Sequence, residues 1–116
     1  MTTPSCIFCK IASAEIPSDV VYKDERVTAF RDIHPAGPTH VLIIPNKHIG
    51  SVNDIEPEDE PLLGHIFVTA RKIAEIDGLT ENGYRLIVNT GPHASQTVPH
   101  LHLHVIGGQP MQYPMG

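Results

Sequence analysis

The chain has 116 residues, 41% of them hydrophobic and 18% charged, which suits one globular domain spanning residues 1–116 and leaves too little length for two. A net charge of −5 and a pI near 5.8, with no Lys/Arg run, argue against a surface that tracks nucleic-acid phosphates. The longest apolar run, VLIIP, is strand-sized, so no membrane span is expected; MTTPSCIFCK lacks the order of a secretory signal, which makes the cytoplasm the expected compartment.

In chain order, Cys6 to Ala14 predicts a short helix, with Ile7, Lys10, Ile11 and Ala14 at helical spacing before Pro17. Val20–Lys23 and Val27–Asp32 read as strands around the polar pair Asp24 and Glu25, which is hairpin spacing. HPAGP, His34 to Pro38, is a loop, and Thr39 to Pro45 is a strand rich in Val and Ile. One long helix is expected from Pro57 to Asp77, because Leu62, Leu63, Ile66, Phe67, Ala70, Ile73 and Ala74 keep a three-and-four spacing. Acidic residues fill its first turn, and Gly78 stands at the C-terminal cap position. After the turn at Glu81-Asn82-Gly83, Tyr84 to Thr90 reads as a strand, GPHASQT as a loop and Pro99 to Ile106 as a final strand. These elements predict an α+β fold: a five-stranded antiparallel sheet covered by one main helix, with a short N-terminal helix.

The last strand carries the chemistry. VPHLHLHV sets His100, His102 and His104 at alternate positions, so an extended strand would place three imidazoles in a row on one face and Leu101, Leu103 and Val105 on the other. A buried core would not choose imidazole for a whole strand face, since each ring has polar atoms that need partners. Imidazole suits nucleophilic attack, proton transfer or metal ligation near neutral pH. Residues two apart on a strand are about 6.5–7 Å apart, so a straight row converges poorly on one metal ion. A row suits attack by a central ring while its neighbours bond the electrophile's oxygens and the departing group. Phosphorus is a fitting electrophile, because the phosphoramidate formed on imidazole is labile enough to hydrolyse. Ser95, Gln96 and Thr97, just ahead of the strand, offer hydroxyls, an amide and backbone N–H groups to phosphoryl oxygens.

Cys6 and Cys9 form Cys-x-x-Cys, half of a common zinc set. A redox dithiol and a pair of inert buried thiols are the alternatives, the first weakened because no βαβ context surrounds the pair. The other histidines read as solvated or locally hydrogen-bonded: His34 and His93 fall in loops containing Pro or Gly, and His65 lies beside the apolar helix stripe.

PHLHLHVIGG resembles the His-x-His-x-His-x-x motif of the histidine triad (HIT) family, and the likeness runs over nearly the whole chain. CKIASAEIPSDVVYKDERVTAFRDIHPAGPTHVLIIPNKH, LLGHIF, GYRLIVNTG and GGQPM all resemble its Hint branch, the purine nucleoside phosphoramidases. The resemblance implies a half-barrel α+β subunit in a homodimer, binding purine nucleoside monophosphates and cleaving their phosphoramidates, with no diffusible cofactor. It implies that His102 is the nucleophile, that His104 contacts the phosphate, and that His40 is the separate family histidine near the triad. Asp32 would bind the ribose hydroxyls, and Phe8, Ile11, Phe30, Ile33 and Leu42 would line the purine slot. Asn89, Gln96, Thr97 and Val98 fall at phosphate-side positions. In HIT proteins with an N-terminal Cys-x-x-Cys, the matching zinc ligands are the positions of His48 and His100, which implies a structural Cys6–Cys9–His48–His100 site. The chain departs from the family at Ala94 and Ser95, where glycines are common, at Pro99, where tyrosine is common, and at Thr97, usually serine. These departures bear on the leaving group and leave the reaction class intact. The same family contains dinucleoside polyphosphate hydrolases, and a nucleotide-binding scaffold with little turnover is the alternative outside enzymes.

Overall fold

Two apolar periodicities govern the architecture. In the computed structural model, which describes residues 5–112, helix α1 spans Ile7–Ala12 and helix α2 spans Glu60–Ile76. Strands β1 (Val20–Lys23), β2 (Val27–Arg31), β3 (Thr39–Pro45), β4 (Tyr84–Ile87) and β5 (Leu103–Gly107) form one antiparallel sheet in the order β1-β2-β3-β5-β4. The expected α+β fold, with five antiparallel strands, one main helix and a short N-terminal helix, is the fold observed.

The central strand β3 is buried at all seven positions, so both sheet faces are covered there. Alternation divides its side chains. Val41 and Ile43 join Val27, Ala29, Leu103 and Val105 beneath Ile66, Ala70, Ile73 and Ala74 of α2. Leu42 and Ile44 join Phe30 beneath Phe8, Cys9, Ile11 and Ala12 of α1. The α2 face is mostly apolar, with Thr69 buried in it, whereas the α1 face also carries His40 and His104.

Polar clamps fix both ends of α2. Asp77, its C-terminal cap, accepts two hydrogen bonds from the Arg31 guanidinium at 2.9 and 3.1 Å and one from Thr39 Oγ1 at 2.8 Å. These donors hold the Asp77 carboxyl below its ordinary pKa, the Arg31 bond being the main cause. Near the other end, His65 Nε2 lies 2.6 Å from Asp24 Oδ2, and Lys47 donates to the buried Asp59 at 2.7 Å. His65 is thus locally hydrogen-bonded as expected, and His34 and His93 lie exposed in their loops.

Four boundaries differ from the sequence reading by more than one residue. The N-terminal helix stops at Ala12, because Ala14 takes a left-handed φ of 63° and breaks the pattern. Residues Pro57–Asp59 form a 3₁₀ turn, and the α-helix begins at Glu60 with Pro61 in its first turn, where the missing N–H costs nothing. Phe67, expected in the core stripe, is 57% exposed. The last two strands are shorter than expected, and the cause is local. His100 N–H bonds to Val98 O at 2.8 Å, a three-residue turn centred on Pro99, whose fixed φ suits that geometry. The chain is therefore still bending at His100, β5 starts only at Leu103, and β4 loses its partner beyond Ile87.

Because Asp77 is mostly buried and satisfies three donors, Asp77→Asn should cost about 1–3 kcal/mol of stability, measured by urea unfolding. A change below about 0.5 kcal/mol would show that the clamp contributes little.

Candidate functional site

The sheet register assembles the site. Phe30 faces Leu42, and Leu42 faces His104, so these three form one row across β2, β3 and β5 on the α1 face. His40 faces Ile106 and is therefore the diagonal neighbour of His104 on that face. One residue past β2, Asp32 continues the ladder through its N–H to His40 O at 2.9 Å. Its Oδ2 lies 3.5 Å from His40 Nε2, and its Oδ1 accepts the His34 N–H at 2.8 Å. The expected neighbours Asp32, His40 and His104 are brought together.

The histidine row is only partly a row. His102 and His104 have ring centroids 5.0 Å apart, but the turn at Pro99 carries His100 away into a fully buried position. There its Nδ1 is 3.3 Å from Cys6 Sγ, 3.5 Å from Cys9 Sγ and 3.2 Å from His48 Nδ1. The expectation that all three imidazoles share one strand face is corrected: His100 and His102 precede β5, and only His104 lies within it.

Backbone groups decide where each ring carries its proton. His102 Nδ1 is 2.7 Å from His100 O, and since a carbonyl only accepts, the proton sits on Nδ1 and the Nε2 lone pair is left open. On the neighbouring ring the order is reversed. Ala36 N–H donates to His40 Nδ1 at 2.9 Å, so His40 carries its proton on Nε2 and donates it to His104 Nδ1 at 2.8 Å. His104 therefore carries its own proton on Nε2. Two adjacent imidazoles thus present unlike groups, a lone pair on one and an N–H on the other.

Burial keeps the supporting rings neutral. His104 is pushed down to about 4, first by burial and then by the neighbouring His102 and His40. His40 is lowered for the same first reason, with Asp32 opposing. Both rings remain uncharged at pH 7, which the relay of single protons requires.

The residues expected to line a purine slot are partly gathered. Phe8, Ile11, Phe30 and Leu42 form one buried cluster with Val98 packed against it. The Phe8 ring stands edge-on to Phe30, His100 and His102 at centroid distances of 5.5, 5.9 and 5.1 Å. Ile33 is not in the cluster: it is 85% exposed on the turn after β2. On the expected phosphate side, Asn89 Nδ2 donates to Ala94 O at 2.8 Å. Gln96 is a staple for its own loop: Oε1 accepts Gly91 N–H, and Nε2 donates to Gly50 O and Val98 O. Ser95, left-handed at φ 60°, and Thr97 are the exposed hydroxyls of this loop. Sequence reasoning missed the backbone partners Ala36, Pro45 and His100 O; the Pro/Gly-rich HPAGP loop was the visible sign of the first.

The buried cluster fits a tetrahedral metal. His100 Nε2 donates to Pro45 O at 2.9 Å, leaving its Nδ1 lone pair aimed at the thiols, and His48 Nδ1 is 3.3 Å from Cys9 Sγ. Zinc bonds of about 2.0–2.3 Å set tetrahedral donor separations of roughly 3.3–3.8 Å. The Cys6–His100, Cys9–His100, Cys9–His48 and His48–His100 separations of 3.2 to 3.5 Å lie near that range, and all four ligand atoms lie within 4.8 Å of one another. Asp32, His40 and His104 also lie close together, but the His40–His104 separation of 2.8 Å is that of a shared proton and too short for two ligands of one ion.

Residues 5–114 match the family model described as scavenger mRNA decapping enzyme C-term binding. The chain is 56% identical over 105 residues to a purine nucleoside phosphoramidase of Escherichia coli (strain K12), covering 90% of this chain and 88% of that one. The chain belongs to the histidine triad family. A HIT family hydrolase from Legionella pneumophila Philadelphia 1 superposes with a TM-score of 0.95 at 50% identity, covering 97% of this chain and all of that one. A zinc-bound histidine triad protein from Mycobacterium smegmatis superposes with a TM-score of 0.80 at 34% identity, covering 90% of this HIT chain and 76% of that one.

The neutral His40–His104 pair makes stability depend on pH. A histidine whose folded pKa lies near 4 against an ordinary 6.5 lets the unfolded chain take up its proton first, so stability falls as pH drops through that window. The melting temperature should decline between pH 6.5 and 4, with a shallower slope in His104→Gln; equal slopes would refute the assignment.

Proposed function

We propose that this HIT protein hydrolyses the P–N bond of purine nucleoside 5′-phosphoramidates through a nucleotidyl intermediate on His102. The observation that carries the reading is the pairing of unlike imidazole groups, the open Nε2 of His102 beside the Nε2–H of His104. The 56% identity to a purine nucleoside phosphoramidase supports the substrate class. In the first step His102 Nε2 bonds to phosphorus and the P–N bond breaks, with the amine nitrogen taking a proton from solvent as it leaves. In the second, water attacks phosphorus and releases a proton to solvent, the His102–phosphorus bond breaks, and the nucleoside monophosphate departs. His104, oriented by His40, donates a hydrogen bond to the phosphoryl oxygens in both steps, and the Ser95–Val98 segment supplies further donors. Asp32 accepts from the ribose hydroxyls, and the base lies against Ile33 and the surface of the Phe8–Phe30–Leu42 cluster. Asn89 holds the phosphate-side loop through Ala94.

Cys6, Cys9, His48 and His100 would hold zinc, which supplies a structural tether between α1 and the active-site strand. No diffusible cofactor enters the reaction. Two thiolate ligands suit a reducing compartment, consistent with the cytoplasm. No helix among the described residues is long and apolar enough to cross a membrane, and the acidic charge balance gives nucleic acid no counterpart. The whole chain is read as one HIT domain.

A second copy of the chain is the proposed partner. Edge strand β4 ends beside a groove lined by Val52, Ile55, Leu63, Phe67 and Val88, of which Val52, Phe67 and Val88 are largely exposed. An open strand edge next to an apolar patch is what a symmetric dimer covers. Phe67→Glu should shift the sedimentation coefficient from dimer to monomer; a wild-type monomer at micromolar concentration would end this part of the reading.

His102→Ala should reduce AMP release from adenosine 5′-phosphoramidate by roughly 10⁴-fold or more while AMP binding persists, because it removes the nucleophile and leaves the base cluster in place. Faster turnover of a diadenosine polyphosphate than of the phosphoramidate would favour the hydrolase branch of that name. AMP binding with no turnover of either would favour a nucleotide-binding scaffold.

A further inference from the structure

The metal-fitting cluster and the proposed nucleophile share one residue. His100 points its Nδ1 at Cys6, Cys9 and His48, its Nε2–H at Pro45 O, and its carbonyl at His102 Nδ1. A displacement of His100 therefore moves the acceptor that keeps the proton on His102 Nδ1. A second connection runs through α1. Phe8 lies between Cys6 and Cys9 in the chain, and its ring stands edge-on to His102 with centroids 5.1 Å apart. Fastening the Cys-x-x-Cys turn thus also fixes the apolar wall against which the His102 ring rests. The backbone between His48 and the triad closes the unit, since Leu101 N–H donates to Ile49 O at 2.6 Å.

Resting on the function proposed above, we infer that Cys6, Cys9 and His48 are positioning residues for the reaction. By gripping a zinc-class cation together with His100, they hold the His100 carbonyl and the Phe8 ring in register with His102, so that its Nε2 faces phosphorus. Binding of the nucleotide changes less than the rate, because of its proposed contacts only Phe8 hangs on the gripped turn, while Phe30, Asp32, Ile33 and Leu42 belong to β2, β3 and their connecting turn. The cation is a structural lever on the rate and takes no part in bond making.

The test compares zinc-loaded protein with protein stripped by a chelator, at a temperature where both remain folded by circular dichroism. Three readings are taken: the ¹⁵N spectrum of the His102 imidazole, the dissociation constant for AMP, and kcat with KM for adenosine 5′-phosphoramidate. Stripping should change the His102 pattern from a single Nδ1–H form to a mixture and lower kcat at least about tenfold. The AMP dissociation constant and KM should change by less than about fivefold, a smaller effect than that on kcat, and added zinc should restore the His102 pattern and kcat. Asp77→Asn, which loosens a clamp on the opposite sheet face, should keep the His102 pattern and kcat despite its lower stability. An unchanged His102 spectrum and kcat on stripping would overturn the inference, as would a protein that retains no zinc or one that unfolds when stripped. A loaded protein that shows the metal-dependent His102 spectrum but releases no AMP would uphold the positioning and refute the phosphoramidase reading instead.

Discussion

The hydrogen bond from His102 Nδ1 to the His100 carbonyl, at 2.7 Å, is the constraint on which the candidate chemistry rests. A neutral imidazole is a donor at one nitrogen and an acceptor at the other, and nothing intrinsic to the ring selects which. Here the selection is made by a backbone carbonyl, which cannot donate. The same logic, with the opposite sign, fixes His104: a backbone N–H at Ala36 forces the His40 proton to Nε2, and that proton occupies His104 Nδ1. One carbonyl and one amide, on different loops, thereby make two chemically identical side chains different.

Burial makes these assignments persist. If the rings charged near pH 7, each would carry two protons and the distinction between lone pair and donor would vanish. Desolvation holds His104 near 4 and lowers His40, and the closest carboxylate, Asp32, is 3.5 Å from His40 and spends Oδ1 on the His34 amide. Arg31, at the end of the same strand, might have supplied charge, but alternation turns it to the other sheet face, where Asp77 takes it. The sheet thus separates an ionic clamp under α2 from a neutral, proton-sharing site under α1.

How far the sequence carried the reading follows from which interactions are periodic. The α2 stripe, the alternation in Thr39–Pro45 and the pattern Leu101, Leu103, Val105 are repeats, and they placed the sheet, the main helix and its apolar core. The gathering of Asp32, His40 and His104 followed from register, and only the family resemblance made it visible in advance. What periodicity could not show was a single turn. Pro99 was legible as a departure from the family pattern, yet the alternation of three histidines outweighed it and predicted one straight row. The observed bend, closed by His100 N–H on Val98 O, separates His100 from the pair that remains adjacent. Likewise Phe67 fits the helical stripe by spacing, but the helix sets it at the sheet's β4 edge, 57% exposed beside a groove, and spacing along the chain does not tell the edge of a sheet from its centre.

That turn also resolves the competition between metal ligation and nucleophilic attack that the histidine pattern posed. A straight strand cannot bring three imidazoles to one ion, and a metal site alone would leave no ring open for phosphorus. Bending the chain at Pro99 gives His100 to Cys6, Cys9 and His48 while leaving His102 and His104 side by side, so the metal-fitting cluster and the donor–acceptor pair fall to neighbours two residues apart. The division is not a decoupling. The peptide group that leads from His100 into Leu101 carries the carbonyl that fixes the His102 proton, so the metal-fitting cluster and the open His102 imidazole are joined through one short length of backbone. A motif that reads as one row is, in three dimensions, an anchor followed by a donor-acceptor pair, and the order of the three histidines along the chain is what makes the anchor set the orientation of the pair.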